Sequence, residues 1–163
     1  MMAAGLTGSY LHPIPNFEPL TLVMFCSGVL LGIRDGALVG GLTMLVYSLL
    51  NPYGAVHPLV LLAQVAGEGL TGATGGLFAA FGFPGRGVAV RGGTLALAGL
   101  GLTGIFDLIT NVATGLVFGQ MRATLIGGIP FALVHLVTNI AMFAALGTPL
   151  VAVFARYRER LSY

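Results

Sequence analysis

Residues 94–118, TLALAGLGLTGIFDLITNVATGLVF, form an uninterrupted apolar run that is long enough to cross a membrane as a helix, which needs about 20 residues. Within this run Asp107 and Asn111 stand four residues apart, and a second apolar run repeats the spacing with His135 and Asn139. Four-residue spacing places both members of each pair on one helix face. Polar side chains in apolar helices usually face a bundle interior, a wet cavity or a ligand. The two runs therefore predict facing helices that line one buried polar site.

The composition of the 163-residue chain is that of an integral membrane protein. Its residues are 56% hydrophobic and 7% charged, with a mean hydropathy of +0.97, whereas soluble domains carry roughly 25% charged residues. All seven basic residues are arginine, and a net charge of +2 is too small and too dispersed for a nucleic-acid surface. The single cysteine, Cys26, excludes an internal disulfide and any cysteine-based metal site. The N-terminus lacks the basic region and the long apolar core of a signal peptide.

Breakers and arginines divide the chain into further apolar segments. A stub at 1–11 precedes segments at 20–33, 37–50, 58–81, 94–118 and 130–154. The last three are long enough to span a membrane, whereas the front two are short and indicate tilted or broken helices. We therefore expect an all-α integral membrane protein: a single domain over 1–163, folded as a compact bundle of about six transmembrane helices, the first of them short or truncated.

The arginines predict the orientation of this bundle. If the stub begins in the cytoplasm and each segment crosses once, the cytoplasmic side holds six arginines: Arg34, Arg86, Arg91, Arg156, Arg158 and Arg160. Only Arg122 lies outside, which is the bias that the positive-inside rule predicts. Both termini are then cytoplasmic, and the outer loops are 12–19, 51–57 and 119–129.

In this orientation the polar residues lie in the outer half to the middle of the helices, and the inner halves are almost wholly apolar. This asymmetry predicts an outward-opening pocket that is closed below by apolar packing. The candidate pocket residues are Asn51, Tyr53, His57, Gln64, Glu68, Asp107, Asn111, His135 and Asn139.

Six of these candidates also have a structural explanation. His135 is a hydrogen-bonded structural residue, a proton relay or a ligand contact. Asp107 and Glu68 either face a ligand, or pair with buried hydroxyls or cap a broken helix. Asn51 and Tyr53 belong to a strong turn sequence and His57 to a loop, although their place at the pocket mouth favours a lid.

Small residues recur at four-residue intervals in the front helices, where they let helix backbones approach closely. Internal packing explains most of them. Those that follow the cytoplasmic turn at Arg34 are also placed to receive a helix from another subunit: Gly36, Ala37, Gly40 and Gly41.

No enzyme signature is visible: the chain contains no zinc-protease, nucleophile-elbow or nucleotide-binding motif. A binding or transport role is therefore favoured. Two alternatives stay open, namely a membrane-embedded enzyme that uses Asp107, Glu68 and His135, and a structural membrane protein.

Four stretches resemble the substrate-binding S components of energy-coupling factor (ECF) vitamin transporters. They are Pro15-Asn-Phe-Glu-Pro19, Leu50-Asn-Pro-Tyr-Gly-Ala-Val-His-Pro58 leading to Gln64, Phe106-Asp-Leu-Ile-Thr-Asn111 and Ile129-Pro-Phe-Ala-Leu-Val-His-Leu-Val-Thr-Asn139. The resemblance covers most of the chain from Pro13 onward. It implies six helices, an outward-facing vitamin pocket closed by the outer loops, and a complex with a transmembrane coupling subunit and two ATPases in a prokaryotic (inner) cell membrane.

The resemblance has further implications for partners and ligand. ATP is used only by the partner subunits, and the chain itself needs no cofactor or metal. In S components a small-residue motif on the first helix docks the coupling subunit, and here Ala4 and Gly8 have that spacing. The motifs Asn-Pro-Tyr-Gly and Asp-Leu-Ile-Thr-Asn are most like those of members associated with cobalamin or related corrinoids. No residue of the chain is fixed as a cobalt ligand, and His57 is no more than a conceivable one.

Overall fold

The computed structural model describes residues 1–2, 19–50 and 56–161, and within these ranges the secondary structure is helical, with no β-strand. These ranges also contain a 3-10 helix at Phe83–Gly85 and a π-helical segment at Phe143–Gly147. The all-α prediction is confirmed for the described chain. The α-helices that lie within residues 19–50 and 56–161 are α1 Leu20–Leu31, α2 Ile33–Leu49, α3 Pro58–Ala80, α4 Val88–Phe118, α5 Met121–Met142 and α6 Thr148–Leu161.

Among the described residues, two helices are long and apolar enough to cross a membrane: α4, and the continuous helix Met121–Arg158 that α5, the π-helical segment and α6 form together. At 1.5 Å per residue, α4 extends over about 46 Å. Large apolar side chains cover the outward faces of these helices, and Leu97, Leu116 and Val137 are each more than 60% exposed. The bundle therefore presents apolar surface to its surroundings.

The predicted outer loop at 119–129 is wrong, because α5 begins at Met121 and not at Pro130. Only Gly119, with φ +66°, and Gln120 separate α4 from α5. Pro130 lies inside α5, where its missing N–H removes one backbone hydrogen bond without preventing the helix from continuing on both sides. The segment predicted from 94 likewise begins earlier, at Val88.

The π-helical segment Phe143–Gly147 has a local cause in the sequence. Pro149 has no N–H to offer the carbonyl four residues back, and its ring would clash with that carbonyl in a regular helix. A π-helical turn widens the backbone at this point and lets α5 continue into α6.

Glycines bring α1, α2 and α3 into backbone contact. We call this set the glycine interface: Gly28 on α1, Gly36 and Gly40 on α2, and Gly72, Gly75 and Gly76 on α3. A methyl group on any of them would overlap backbone atoms of a neighbouring helix. Close packing of these three helices therefore depends on the absence of side chains, as the spacing predicts for internal packing.

An aromatic layer fills the centre of the bundle beside the glycine interface. Phe25 packs edge-on against Phe78 and Phe143, with ring centroids 5.4 and 5.3 Å apart. Phe143 lies one helical turn after Asn139, on the side toward Arg158. At that end of the bundle, Nη1 of Arg158 donates to the Val29 carbonyl at 3.5 Å. The aromatic layer thus separates the polar residues of α5 from the arginine-rich end.

Gly32 alone connects α1 to α2, and its backbone angles of φ +96° and ψ 180° lie in a region that is essentially restricted to glycine. We expect Gly32→Ala to lower the free energy of unfolding by about 1–3 kcal/mol. Gly87→Ala is the matched control, because Gly87 has φ −55° and an added methyl group there would have no heavy atom within 4 Å. Chemical denaturation in detergent measures both variants, and equal stability of the two would contradict the expectation.

Candidate polar site

Asp107 and His135 form a close pair between α4 and α5. Nδ1 of His135 lies 2.8 Å from Oδ1 of Asp107, and the two side chains are 5% and 15% exposed. With Asp107 ionised, its carboxylate only accepts hydrogen bonds, and Nδ1 of His135 is assigned as the donor on that basis. The two predicted polar faces thus meet at this pair.

Phe106 connects this pair to α3. Its ring stands edge-on to the His135 ring, with centroids 6.1 Å apart. A methyl group on Gly67 would lie 2.6 Å from the Phe106 ring, so the missing side chain on α3 makes room for that ring. The Phe106 ring therefore packs between His135 and the backbone of α3 at Gly67.

Glu68 and Gln64 project from α3 toward α1 and α2. Thr21 on α1 donates to Oε1 of Glu68 at 3.0 Å, and Ser48 on α2 donates to Oε1 of Gln64 at the same distance. Glu68 and Thr21 are both 1% exposed. Pairing of Glu68 with a buried hydroxyl was one of its open explanations, and the structure has that hydrogen bond.

Several buried oxygen atoms on α4 and α5 have no hydrogen-bond partner within the described part of the chain: Oδ2 of Asp107, Oδ1 of Asn139 and Oγ1 of Thr103. Asn139 is fully buried, and its Nδ2 donates to the His135 carbonyl at 3.2 Å, which fixes the orientation of the amide. A buried acceptor without a donor costs about 1–3 kcal/mol. These atoms therefore favour a ligand or solvent molecule that supplies donors.

A groove of about 200 Å³ runs between α4 and α5, beside the Asp107–His135 pair. Of the described residues that line it, Asp107 and Asn111 have polar side chains, and the others are apolar or glycine. Gly128 makes room for the Asn111 amide, since a methyl group there would lie 2.9 Å from Nδ2. Asp107 and Asn111 thus share one groove, as their spacing predicts.

The remaining predicted pocket residues are placed differently. His57 is exposed and caps α3, where its Nδ1 accepts the Leu59 N–H at 3.2 Å. Asn51 and Tyr53 lie outside the described residues. Sequence reasoning missed Thr21, Ser48 and Thr103, whose only signal is a hydroxyl inside an apolar run.

The predicted partner surface needs a correction at two of its members. Gly36 and Gly40 are buried against α3, where methyl groups would overlap the carbonyl oxygens of Gly72 and Glu68, so both belong to the glycine interface and not to a free surface. Ala37 and Gly41 stay partly exposed on α2. Ala4 and Gly8 lie outside the described residues.

Within the described ranges, no three histidine, cysteine, aspartate or glutamate side chains are grouped as a metal site requires. No protein-family model, no curated protein and no solved structure matches the chain.

Proposed function

We propose that the chain is a membrane-embedded substrate-binding subunit of the ECF S-component type, which captures a small vitamin-like molecule and relies on a separate ATPase module to move it. The observation that carries this proposal is the Asp107–His135 pair, which lies among unpartnered buried acceptors and next to a groove in otherwise apolar helices. Ionisable groups at such a depth are expensive to keep and usually mark a substrate or ion site.

Insertion into a membrane is supported by the surface of the bundle. In the part of the chain that the structure describes, two helices have the length and hydropathy of membrane spans. Leucine, isoleucine, valine and phenylalanine side chains cover the outward faces, an arrangement that would promote aggregation of a protein in water. The arginine-rich end then faces the cytoplasm by the positive-inside rule.

The proposed coupling subunit meets the chain on the outward face of α2. Ala37 and Gly41 are partly exposed there, and Leu38 and Leu42 beside them are about half exposed. Small residues next to exposed leucines suit close packing against another membrane helix. Such a partner is required because the chain has no nucleotide-binding sequence.

A membrane-embedded enzyme is the second candidate, because a histidine held by a carboxylate at 2.8 Å is the arrangement of a general acid–base pair. This candidate predicts chemical turnover without ATPase partners, and loss of that turnover in Asp107→Asn.

Asn111→Ala is expected to weaken ligand binding by about 1–3 kcal/mol, the cost of leaving a buried ligand group unsatisfied, while thermal stability stays close to that of the wild type. The reason is that Asn111 lines the groove and is only partly buried. Native mass spectrometry of the detergent-solubilised protein measures ligand occupancy, and small-molecule mass spectrometry of the extracted ligand identifies it.

Asn139→Ala is the comparison variant, since Asn139 is fully buried and its loss should lower thermal stability as well. If Asn111→Ala lowered stability and left occupancy unchanged, Asn111 would be a packing residue and the proposed site would be wrong.

A further inference from the structure

The groove between α4 and α5 has a strongly asymmetric lining. Two polar side chains, Asp107 and Asn111, face a wall that includes Leu108, Leu125, Ile129 and Leu136. Leu108 and Ile129 are each more than half exposed and form the lateral mouth. A ligand that fills this groove therefore needs an apolar body with a polar group at one end.

Asp107 sets the chemistry of that polar end. Its Oδ1 is engaged by Nδ1 of His135, while its Oδ2 is buried without a hydrogen-bond partner within the described part of the chain. A carboxylate accepts hydrogen bonds and does not donate them. A ligand group that pairs with this carboxylate must therefore carry an N–H or O–H donor, and a cationic N–H donor gains the most because charge-assisted hydrogen bonds are about twice as strong as neutral ones.

The volume of the groove limits the size of this ligand. Sites for drug-sized molecules have about 300–1,000 Å³, and this groove has about 200 Å³. A single ring or a short branched chain fits these dimensions, whereas a corrinoid macrocycle does not.

We propose that the groove binds a small amphipathic amine, with its ammonium or N–H group on the Asp107 carboxylate, which lines the groove, and its apolar part along Leu108 and Ile129. This inference rests on the proposed function, because it names the substrate class of the same site. A lipid amine is disfavoured because the amine of a lipid headgroup lies at the membrane surface and Asp107 lies deep in the bundle. Asp107 is eleven residues before the end of α4 at Phe118, or about 16 Å along the helix axis. This distance is roughly half of a 30 Å hydrocarbon core.

Three probes of matched size test the amine requirement: benzylamine, benzyl alcohol and benzoate. Isothermal titration calorimetry on the purified protein in detergent measures their binding, with empty micelles titrated in parallel. We expect saturable binding of benzylamine, at least tenfold weaker binding of benzyl alcohol and no saturable binding of benzoate. Benzoate binding as tight as that of benzylamine would overturn the proposal, as would the absence of benzylamine binding.

Two variants locate the amine. Asp107→Asn should weaken benzylamine binding at least tenfold, and Ala132→Leu should abolish it by filling the groove from α5 without changing the Asp107–His135 pair. Leu116→Ala is the control, because Leu116 is an exposed residue of α4 outside the groove. If benzylamine bound both groove variants as tightly as the wild type, the groove would not be its site.

The inference and the proposed function fail in different ways. If amine binding is absent while ATP-dependent uptake of another molecule persists, the ligand class is wrong and the transport role stands. If benzylamine binds with the expected variant pattern but no uptake occurs with any ATPase module, the ligand class stands and the transport role is wrong.

Discussion

Gly72→Ala is expected to destabilise the bundle by about 3 kcal/mol, the upper end of the usual range for overpacking. The new methyl group would overlap the carbonyl group of Gly36 and lie 3.1 Å from the backbone nitrogen of Ala37. Backbone atoms cannot rotate away as a side chain does, so α2 and α3 would have to separate. Thermal or denaturant unfolding in detergent measures the loss.

Gly101→Ala is the matched control for Gly72→Ala. Gly101 is an exposed residue inside α4 with no heavy atom within 4 Å of the added methyl group. Alanine is a better helix former than glycine by about 0.5–1 kcal/mol, so this variant should be slightly more stable than the wild type. Opposite signs for the two substitutions are the expected result, and a loss of similar size in both would contradict the glycine interface.

His135→Leu is expected to lower the free energy of unfolding by about 1–3 kcal/mol, because it leaves the Asp107 carboxyl group in place without the imidazole that hydrogen-bonds to it. Replacement of both partners of a buried hydrogen bond by apolar groups can be nearly neutral or stabilising. The double variant Asp107→Leu/His135→Leu should therefore be more stable than His135→Leu alone.

The coupling free energy of the pair follows from denaturant unfolding of four proteins: the wild type, Asp107→Leu, His135→Leu and the double variant. Thr114→Val is a suitable reference for background effects, since the Thr114 hydroxyl bonds only within α4, to the Thr110 carbonyl at 2.8 Å. If the two single losses add up in the double variant, Asp107 and His135 do not act as a pair and the site described here is wrong.

The central pair could be predicted from the sequence because helical periodicity is a local property. Asp107 and Asn111 are four residues apart, and so are His135 and Asn139. This spacing alone puts both members of each pair on one face of a helix. The apolar flanks made burial of that face favourable. The meeting of Asp107 with His135 then follows from two consecutive helices joined by a short turn.

Other features could not be predicted, because they depend on contacts between distant segments. Pro130 suggested a helix start, yet α4 supports α5 along its length and the helix continues through the proline. The spacing of Gly36 and Gly40 fits an internal contact and a partner surface equally well, and only the position of α3 decides between them. The hydroxyl of Thr21 became a partner of Glu68 through the packing of α1 on α3.

Uptake in whole cells tests the central claim most directly. The ligand that mass spectrometry identifies is radiolabelled, and its uptake is measured in two kinds of cell. One expresses the chain together with an ECF coupling subunit and its ATPases, and the other expresses the chain alone. The account predicts accumulation only when the ATPase module is present, and loss of accumulation in Asn111→Ala, which lines the groove. Equal accumulation without any ATPase module, or chemical conversion of the molecule by the purified chain, would contradict it.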